Sequence, residues 1–463
     1  MSTAKRSGYW DGAHFSVDGY YPAPRVVTGL PQSQRNGMKR NWIFSGLLPA
    51  LVVLAACSDD DPIGPPGPEA FERYVSIGTS ITMGIQSAGV FYATQQHAWP
   101  ALLAHQAFSS ARFTVPLIQG PGCYSPLIAP IQFQRRLSGA QFPGVNAQDQ
   151  VCALYPGITL PTNNVAIDGA TTYHALRITP ESTVTSPTTI DSDQRKRLYK
   201  AVLAPGKSQV TSMMAQNPTL VSVELGANEV LRTVTDGIVA PAAAYRQPDG
   251  TFTYYPTALW QPQYDAVIDS VAKTGAKALL VSVPLIPNLV GIHPGDDFWQ
   301  DRAAFESFGI VVNADCTGNQ NQIYAFAKVL TALASPKPFN LTCTNSPTAA
   351  DFMLTQADTS FVNGQIRTMN NHIQAQATVH SWAYLDLNTA LAAFVTQKPR
   401  FSLSRFLSCT RPFGQFITLD GIHPSVDGQQ AIANAAADAL NAHYQWEIPT
   451  NPQVVLTAAQ ICP

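Results

Sequence analysis

Charged side chains are scarce in this chain. Asp, Glu, Lys and Arg make up 13% of its 463 residues, about half the usual share. A basic excess is missing too. Residues 1–57 hold six Lys or Arg and two Asp or Glu, which leaves 22 basic against 28 acidic residues in the remainder. That balance argues against nucleic acid as a partner. No Cys-x-x-Cys occurs, so zinc-ribbon and thioredoxin-like readings lose support. No apolar run reaches the ~20 residues of a membrane-spanning helix; the run from Trp42 to Ala56 is shorter. What is present is a hydrophobic fraction of 45%, ample for a core.

The N-terminal run reads as a targeting segment. Lys39 and Arg40 precede it, and it ends Leu54-Ala55-Ala56-Cys57. A basic start, a short apolar stretch and small residues before a cut describe a secretory signal, residues 38–57. Small residues followed directly by cysteine resemble the lipobox of bacterial lipoproteins. That resemblance implies cleavage before Cys57, acylation of Cys57, and a lipid anchor in the bacterial cell envelope, on its periplasmic or surface face. Residues 1–37 are polar, turn-rich and aperiodic; they read as an extension upstream of a start at Met38. Asp59-Asp60-Asp61 and the following Pro-rich stretch make residues 58–70 a tether, because Pro holds extended geometry and the acidic run stays solvated. About 400 residues, 71–463, are left for one large domain with insertions.

Setting Cys57 aside leaves Cys123, Cys152, Cys316, Cys343, Cys409 and Cys462. An even set in an exported protein points to disulfides. Sequence alone leaves the connectivity open; the sequential pairing closes the shortest loops.

Five short apolar or β-branched runs read as strands: Tyr74 to Ile77, Asn164 to Ile167, Leu220 to Leu225, Ala278 to Val283 and Tyr384 to Leu387. Continuous apolar runs are expected where both sheet faces are covered. Helical patterns precede three of them: 194–214 with a break at Pro205-Gly206, 264–273, and 362–379. Another spans 429–443. Helix-then-strand alternation predicts an α/β domain of three layers around a parallel sheet of about five strands. The stretches 86–160, 236–261 and 286–355 are long and rich in Pro, Gly and aromatics. Loops this long carry function or small elements of their own; they read as cap-like insertions around the mouth of a site. Tyr254, Tyr255, Trp260, Phe298 and Trp299 would pack within that cap or line a pocket.

The first strand runs into Gly78-Thr79-Ser80, with Gly84 following. Glycine allows a sharp turn, and a serine there stands at the C-terminal edge of the sheet, where ligands sit in open α/β folds. Near the C-terminus, Asp420-Gly421-Ile422-His423-Pro424 places a carboxylate three residues before a histidine. An imidazole can take the serine proton, and a carboxylate can hold its tautomer. Asp420 can also cap the helix approach after Pro424. Gly291-Ile292-His293-Pro294 repeats four of these residues, but Val290 stands where Asp420 would; His293 reads as a loop histidine. Asn228 follows the third run in Leu225-Gly226-Ala227-Asn228-Glu229, and Gly169 follows the second in Asp168-Gly169-Ala170-Thr171. Both can donate hydrogen bonds into the same crevice. Gly-x-Ser-x-Gly is absent, since Thr82 stands two after Ser80; the α/β-hydrolase nucleophile elbow therefore does not fit.

These four segments, in this order, resemble the SGNH (GDSL) hydrolases, a family of esterases and lipases. The resemblance runs from Tyr74 to about His443. It implies a flavodoxin-like three-layer sandwich and no metal or other cofactor. It also implies Ser80 as nucleophile and oxyanion donor, Gly169 and Asn228 as further donors, His423 as base and Asp420 as its orienter. Three departures stand out: Thr79 replaces the Asp of the name motif, Glu229 follows Asn228 where Asp is usual, and Ile81 replaces the usual leucine after the serine. The expected substrate is a carboxylic ester, whether lipid, short-acyl or acetylated glycan. Acyl transfer by the same residues and a non-catalytic surface binding lipoprotein are the alternatives.

Overall fold

A computed structural model describes residues 68–108, 113–184, 193–245, 252–346, 348–396 and 398–462. The expected signal segment, Cys57 and most of the expected tether lie outside these residues. The tether's last residues are not extended: Pro68–Phe71 is a helical turn, and the Phe71 ring packs on Tyr74 and Trp446.

The central sheet has four parallel strands: β1 (Tyr74–Ile77), β2 (Leu220–Val223), β3 (Lys277–Val281) and β4 (Ala383–Leu385), in the order β1-β2-β3-β4. Their registers pair Tyr74 with Leu220, Leu220 with Lys277, and Leu279 with Ala383. Apart from exposed Lys277 and half-buried Tyr384, every residue of these strands is buried. That explains their continuous apolar sequence.

The fifth expected strand, Asn164 to Ile167, is not one. It lies alongside β1 but makes a single parallel bridge, Ser76 with Asn164. The ladder stops at Gly78, whose N–H donates to the Gln209 side-chain Oε1 at 3.2 Å instead of to this segment. On the segment itself, Asn164 Oδ1 accepts the Ala166 N–H at 3.1 Å, and its Nδ2 donates to the Thr82 carbonyl at 2.8 Å. Position is kept even so: Val165 N–H donates to Ser76 O and Ile167 N–H to Gly78 O. With this edge segment counted, the spatial order is second, first, third, fourth, fifth, the flavodoxin-like winding.

Helices cover the sheet in two groups. The serine opens α1 (Ser80–Met83), and α2 (Trp99–Ala107) packs later against the C-terminal helix. One group contains α3 (Thr172–Arg177), α5 (Gln209–Ala215), α6 (Thr257–Ala272) and α7 (Gln356–Val379), with α4 (Asp193–Val202) leading into α5. The break between α4 and α5 falls at Pro205-Gly206, as the sequence predicts. The other group joins α2, α8 (Leu387–Thr396) and α9 (Val426–Tyr444). In α7, Val362, Ile366, Met369 and Ile373 are buried. Burial of each large apolar side chain contributes about 2 kcal/mol.

The long stretches carry small elements. Ile292–Pro294, Gln322–Tyr324 and Met353–Leu354 form an antiparallel sheet. Ile310–Val312 pairs in parallel with Phe339–Leu341. Disulfides join Cys123 to Cys152, Cys316 to Cys343, and Cys409 to Cys462, the sequential pairing.

Candidate active site

Ser80 follows β1 through the turn Gly78-Thr79 and is the first residue of α1. The amides of a first helical turn have no partner within their helix, so the Ser80 N–H is a donor the helix itself cannot use. The turn is tight because position 78 has no side chain: a Cβ there would lie 2.5 Å from the Thr82 Cβ. Beneath the turn lies Glu224, at the end of the β2 run and 3% exposed. Its carboxylate accepts the Thr79 N–H at 2.9 Å, the Thr79 hydroxyl at 2.8 and 2.9 Å, and the Thr82 hydroxyl at 3.0 Å. Trp99 Nε1 donates to Thr82 Oγ1 at 3.1 Å. Burial pushes the Glu224 carboxyl above its ordinary pKa, against the pull of these donors.

Asp420 and His423 lie in the loop before α9. Asp420 Oδ2 is 2.8 Å from His423 Nδ1, which leaves Nε2 as the ring nitrogen available to chemistry. The same carboxylate accepts three backbone N–H groups, from Ala88 at 2.7 Å, Ile422 at 3.0 Å and His423 at 2.9 Å. The Thr418 hydroxyl adds a donor at 3.1 Å. Burial alone would raise the Asp420 pKa; His423 and these donors outweigh it and bring it down to about 2. For His423, burial would favour the neutral ring, but the Asp420 charge and hydrogen bond prevail and raise its pKa, with Asp168 and Glu224 helping. Asp420 therefore caps its own loop; the cap of α9 is Ser425, whose hydroxyl accepts the Gly428 N–H.

Gly169 and Asn228 complete the constellation. Gly169 has φ +71°, a conformation that favours glycine, and a Cβ there would collide with the Arg195 guanidinium at 2.1–2.4 Å. Asn228 Nδ2 donates to the Ala170 carbonyl at 2.9 Å, which joins the Asn228 segment to the Gly169 segment and uses one amide hydrogen. Glu229 strengthens that joint. Its Oε1 accepts the Thr172 N–H at 2.7 Å and the Tyr245 hydroxyl at 3.1 Å. Fully buried, its carboxyl is pushed up to about 7.

Ser80, Gly169, Asn228, Asp420 and His423 all line one cleft of about 600 Å³. Each long stretch reaches it: Tyr124 and Arg136 from the first, Phe252 and Tyr255 from the second, Tyr324 and Phe326 from the third. Of the singled-out aromatics, only Tyr255 faces the cleft. Trp260 and Phe298 are buried in the core, Tyr254 is buried against Phe361, and Trp299 stacks with Arg302. His293 is not a loop histidine. It lies in the strand Ile292–Pro294, 1% exposed, with Nδ1 3.1 Å from Asp297 Oδ2, and it does not line the cleft.

Two supports escaped the sequence reading. Tyr324 donates its hydroxyl to the Asp420 carbonyl at 2.8 Å, so an insertion strand holds the histidine loop; nothing in the local sequence signals that contact. Glu224 did leave a signal, as the one charged residue in the strand run Leu220 to Leu225. Among the described residues, no group of three or more His, Cys, Asp or Glu could hold a metal ion.

A family model described as GDSL-like Lipase/Acylhydrolase matches residues 74–436. No curated protein matches the chain. Solved structures similar to it include a mutant of an acetyl-xylooligosaccharide esterase from Geobacillus Stearmophilus, at 11% identity and TM-score 0.33, covering 82% of this chain and 97% of that one. Another is phospholipase A1 from Streptomyces albidoflavus NA297, at 14% identity and TM-score 0.31, covering 80% and 98%. Likeness at this level carries no argument about substrate.

Proposed function

The chain belongs to the GDSL-like lipase/acylhydrolase family and is a carboxylic ester hydrolase, and from that premise we propose that it works through an acyl-enzyme on Ser80. The observation that carries the proposal is the 2.8 Å contact of Asp420 with His423 Nδ1, in the cleft that Ser80, Gly169 and Asn228 also line. His423 Nε2 takes the Ser80 proton as Oγ attacks the ester carbonyl. The oxyanion is held by the Ser80 and Gly169 N–H groups and the free hydrogen of the Asn228 amide. Each such donor is worth about 3 kcal/mol in the transition state. As the carbon–oxygen bond to the alcohol breaks, His423 returns the proton to the leaving oxygen. Water, deprotonated by His423, then releases the acid and restores Ser80.

Hydrolysis of 4-nitrophenyl esters by wild type and Ser80→Ala tests this reading. Wild-type turnover lost in a folded variant supports it, and turnover retained at the wild-type rate contradicts it. Turnover that appears only when an acceptor alcohol is added would favour acyl transfer by the same residues.

We also propose that Cys57 carries a lipid anchor in the cell envelope, on the strength of Leu54-Ala55-Ala56-Cys57 alone. Partition of the full chain, expressed in a bacterial host, into a detergent phase tests it. Cys57→Ala should move the protein to the aqueous phase, and an unchanged partition would contradict the anchor.

A further inference from the structure

We propose that the ester is a short acyl group, of about two to four carbons, carried on a neutral polyhydroxylated alcohol of the sugar class. The inference rests on Ser80 being the nucleophile. Ser80 stands between two cavities of different size and chemistry. The larger is the cleft of about 600 Å³. The smaller, about 50 Å³, is walled by Ile81, Val234, Val283, Ile286, Ile366 and Leu391 among other apolar side chains, and none of the described residues that line it is charged. Ser80 and Asn228 border both cavities, whereas His423 borders only the larger.

That asymmetry assigns the two halves of the ester. His423 must protonate the leaving oxygen, so the alcohol occupies the side on which His423 stands. The acyl group then points into the apolar pocket. At about 50 Å³ beside about 600 Å³ for the cleft, this apolar pocket is the narrower of the two spaces, and it suits an acetyl to butyryl chain better than a fatty acyl chain.

The chemistry of the larger cleft selects among alcohols. Among the described residues, its three arginines are already matched or committed. Arg195 Nε lies 3.6 Å from Asp168 Oδ2, and Arg232 Nε lies 2.9 Å from Asp236 Oδ2. Arg136 donates to the Ser125 and Gly144 carbonyls and stacks on Tyr124 and Phe142. Paired guanidinium and carboxylate groups offer donors and acceptors side by side with little net charge, which suits hydroxyls better than a phosphate. The rings of Phe252, Tyr255 and Tyr324 supply flat apolar surface between them. A few placed polar groups among aromatic walls fix the orientation of a small polar ligand, and a polyol has both faces to match.

The test measures kcat/KM on 4-nitrophenyl acetate, butyrate, octanoate and laurate. 6-O-Acetylglucose, ethyl acetate and a long-chain lysophosphatidylcholine are then compared. The proposal expects acetate or butyrate to exceed octanoate by about tenfold or more, and the sugar acetate to exceed both ethyl acetate and the lysophospholipid. Leu391→Ala should move the optimum towards longer chains, with Val234→Ala as the second variant should the first fail to fold. Arg232→Gln should raise KM for 6-O-acetylglucose more than for ethyl acetate. An optimum at octanoate or beyond, or a preference for the lysophospholipid, overturns the proposal while leaving the acyl-enzyme intact. An unshifted optimum in both folded pocket variants overturns the assignment of the acyl pocket. No turnover on any ester, with no fluorophosphonate labelling of Ser80, overturns the acyl-enzyme reading itself.

Discussion

Thr79 gives both its backbone N–H and its hydroxyl to the carboxylate of Glu224, at 2.8–2.9 Å. The GDSL name motif carries its acid at position 79; here the acid comes from the end of β2, and the residue at 79 supplies the donors. The departure at Thr79 is thus matched at Glu224, and the turn that presents Ser80 is held from below.

Putting Asp back at position 79 should therefore harm this protein. Thr79→Asp sets a second carboxylate beside buried Glu224, where like charges cannot both ionise without cost. We expect a loss of about 3 kcal/mol or more at pH 7, recovered in part by Thr79→Asp with Glu224→Gln. Denaturant melts of the wild type and the two variants check this; an unaltered midpoint in the single variant would refute the pairing.

The pH profile follows from His423. The ring must be neutral to act as a base, and Asp420 raises its pKa above the ordinary 6.5 despite burial. The acid limb of kcat/KM should have its midpoint above pH 6.5. In Asp420→Asn burial is left without its counterweight, so the midpoint should move to lower pH. The loss of activity should also be smaller than in His423→Ala, since the base does the chemistry and the carboxylate orients it.

Stability carries the same signature with opposite signs. Asp420, depressed to about 2, contributes about 2 kcal/mol that is present above pH 4 and lost as pH falls towards 2. His423, raised, contributes stability that is present below pH 6.5 and lost as pH rises through its folded pKa. Both describe one interaction and do not add. Urea midpoints between pH 2 and 8, compared with Asp420→Asn, should show the acid-side loss in the wild type alone.

Glu229 behaves in reverse. Its folded pKa of about 7 lies above the ordinary 4.5, so the folded state favours the protonated acid. Stability should fall by about 3 kcal/mol between pH 4.5 and 7 and then level off. Glu229→Gln keeps an acceptor for Thr172 and Tyr245 without the charge. It should flatten this part of the profile and raise the melting temperature at pH 8.

Tyr324→Phe removes the hydroxyl bonded to the Asp420 carbonyl. A hydrogen bond of this kind is worth about 1 kcal/mol. Because it anchors the histidine loop, kcat should fall several-fold, with the slope of the pH profile unchanged. A variant matching the wild type in both stability and kcat would show that the insertion does not hold the loop.

Four of the sheet's strands were legible because strands buried on both faces must be apolar, and Tyr74 to Ile77 or Ala278 to Val281 admit little else. Asn164 to Ile167 has the apolar content of a strand and lies beside β1, but the ladder ends where the Gly78 N–H goes to Gln209, a long-range contact no local pattern records. Ser80, Gly169, Asn228, Asp420 and His423 were each visible at a strand end or in a short spaced motif. Tyr324, Arg195 and Arg136 were not. Tyr324 and Arg136 reach the cleft from insertions whose path depends on long-range packing, and Arg195 reaches it from α4; no local spacing records those paths. His293 misled in a smaller way: its neighbours repeat those of His423, but it is buried against Phe401.

The central claim is that Ser80 forms the covalent intermediate. Intact mass after exposure to a fluorophosphonate, with peptide mapping, tests it most directly in the wild type, Ser80→Ala and His423→Ala. The account predicts one adduct on Ser80 in the wild type, none in Ser80→Ala, and labelling slowed about 10³-fold or more in His423→Ala. An adduct on another residue, or equal labelling of Ser80→Ala, would contradict it.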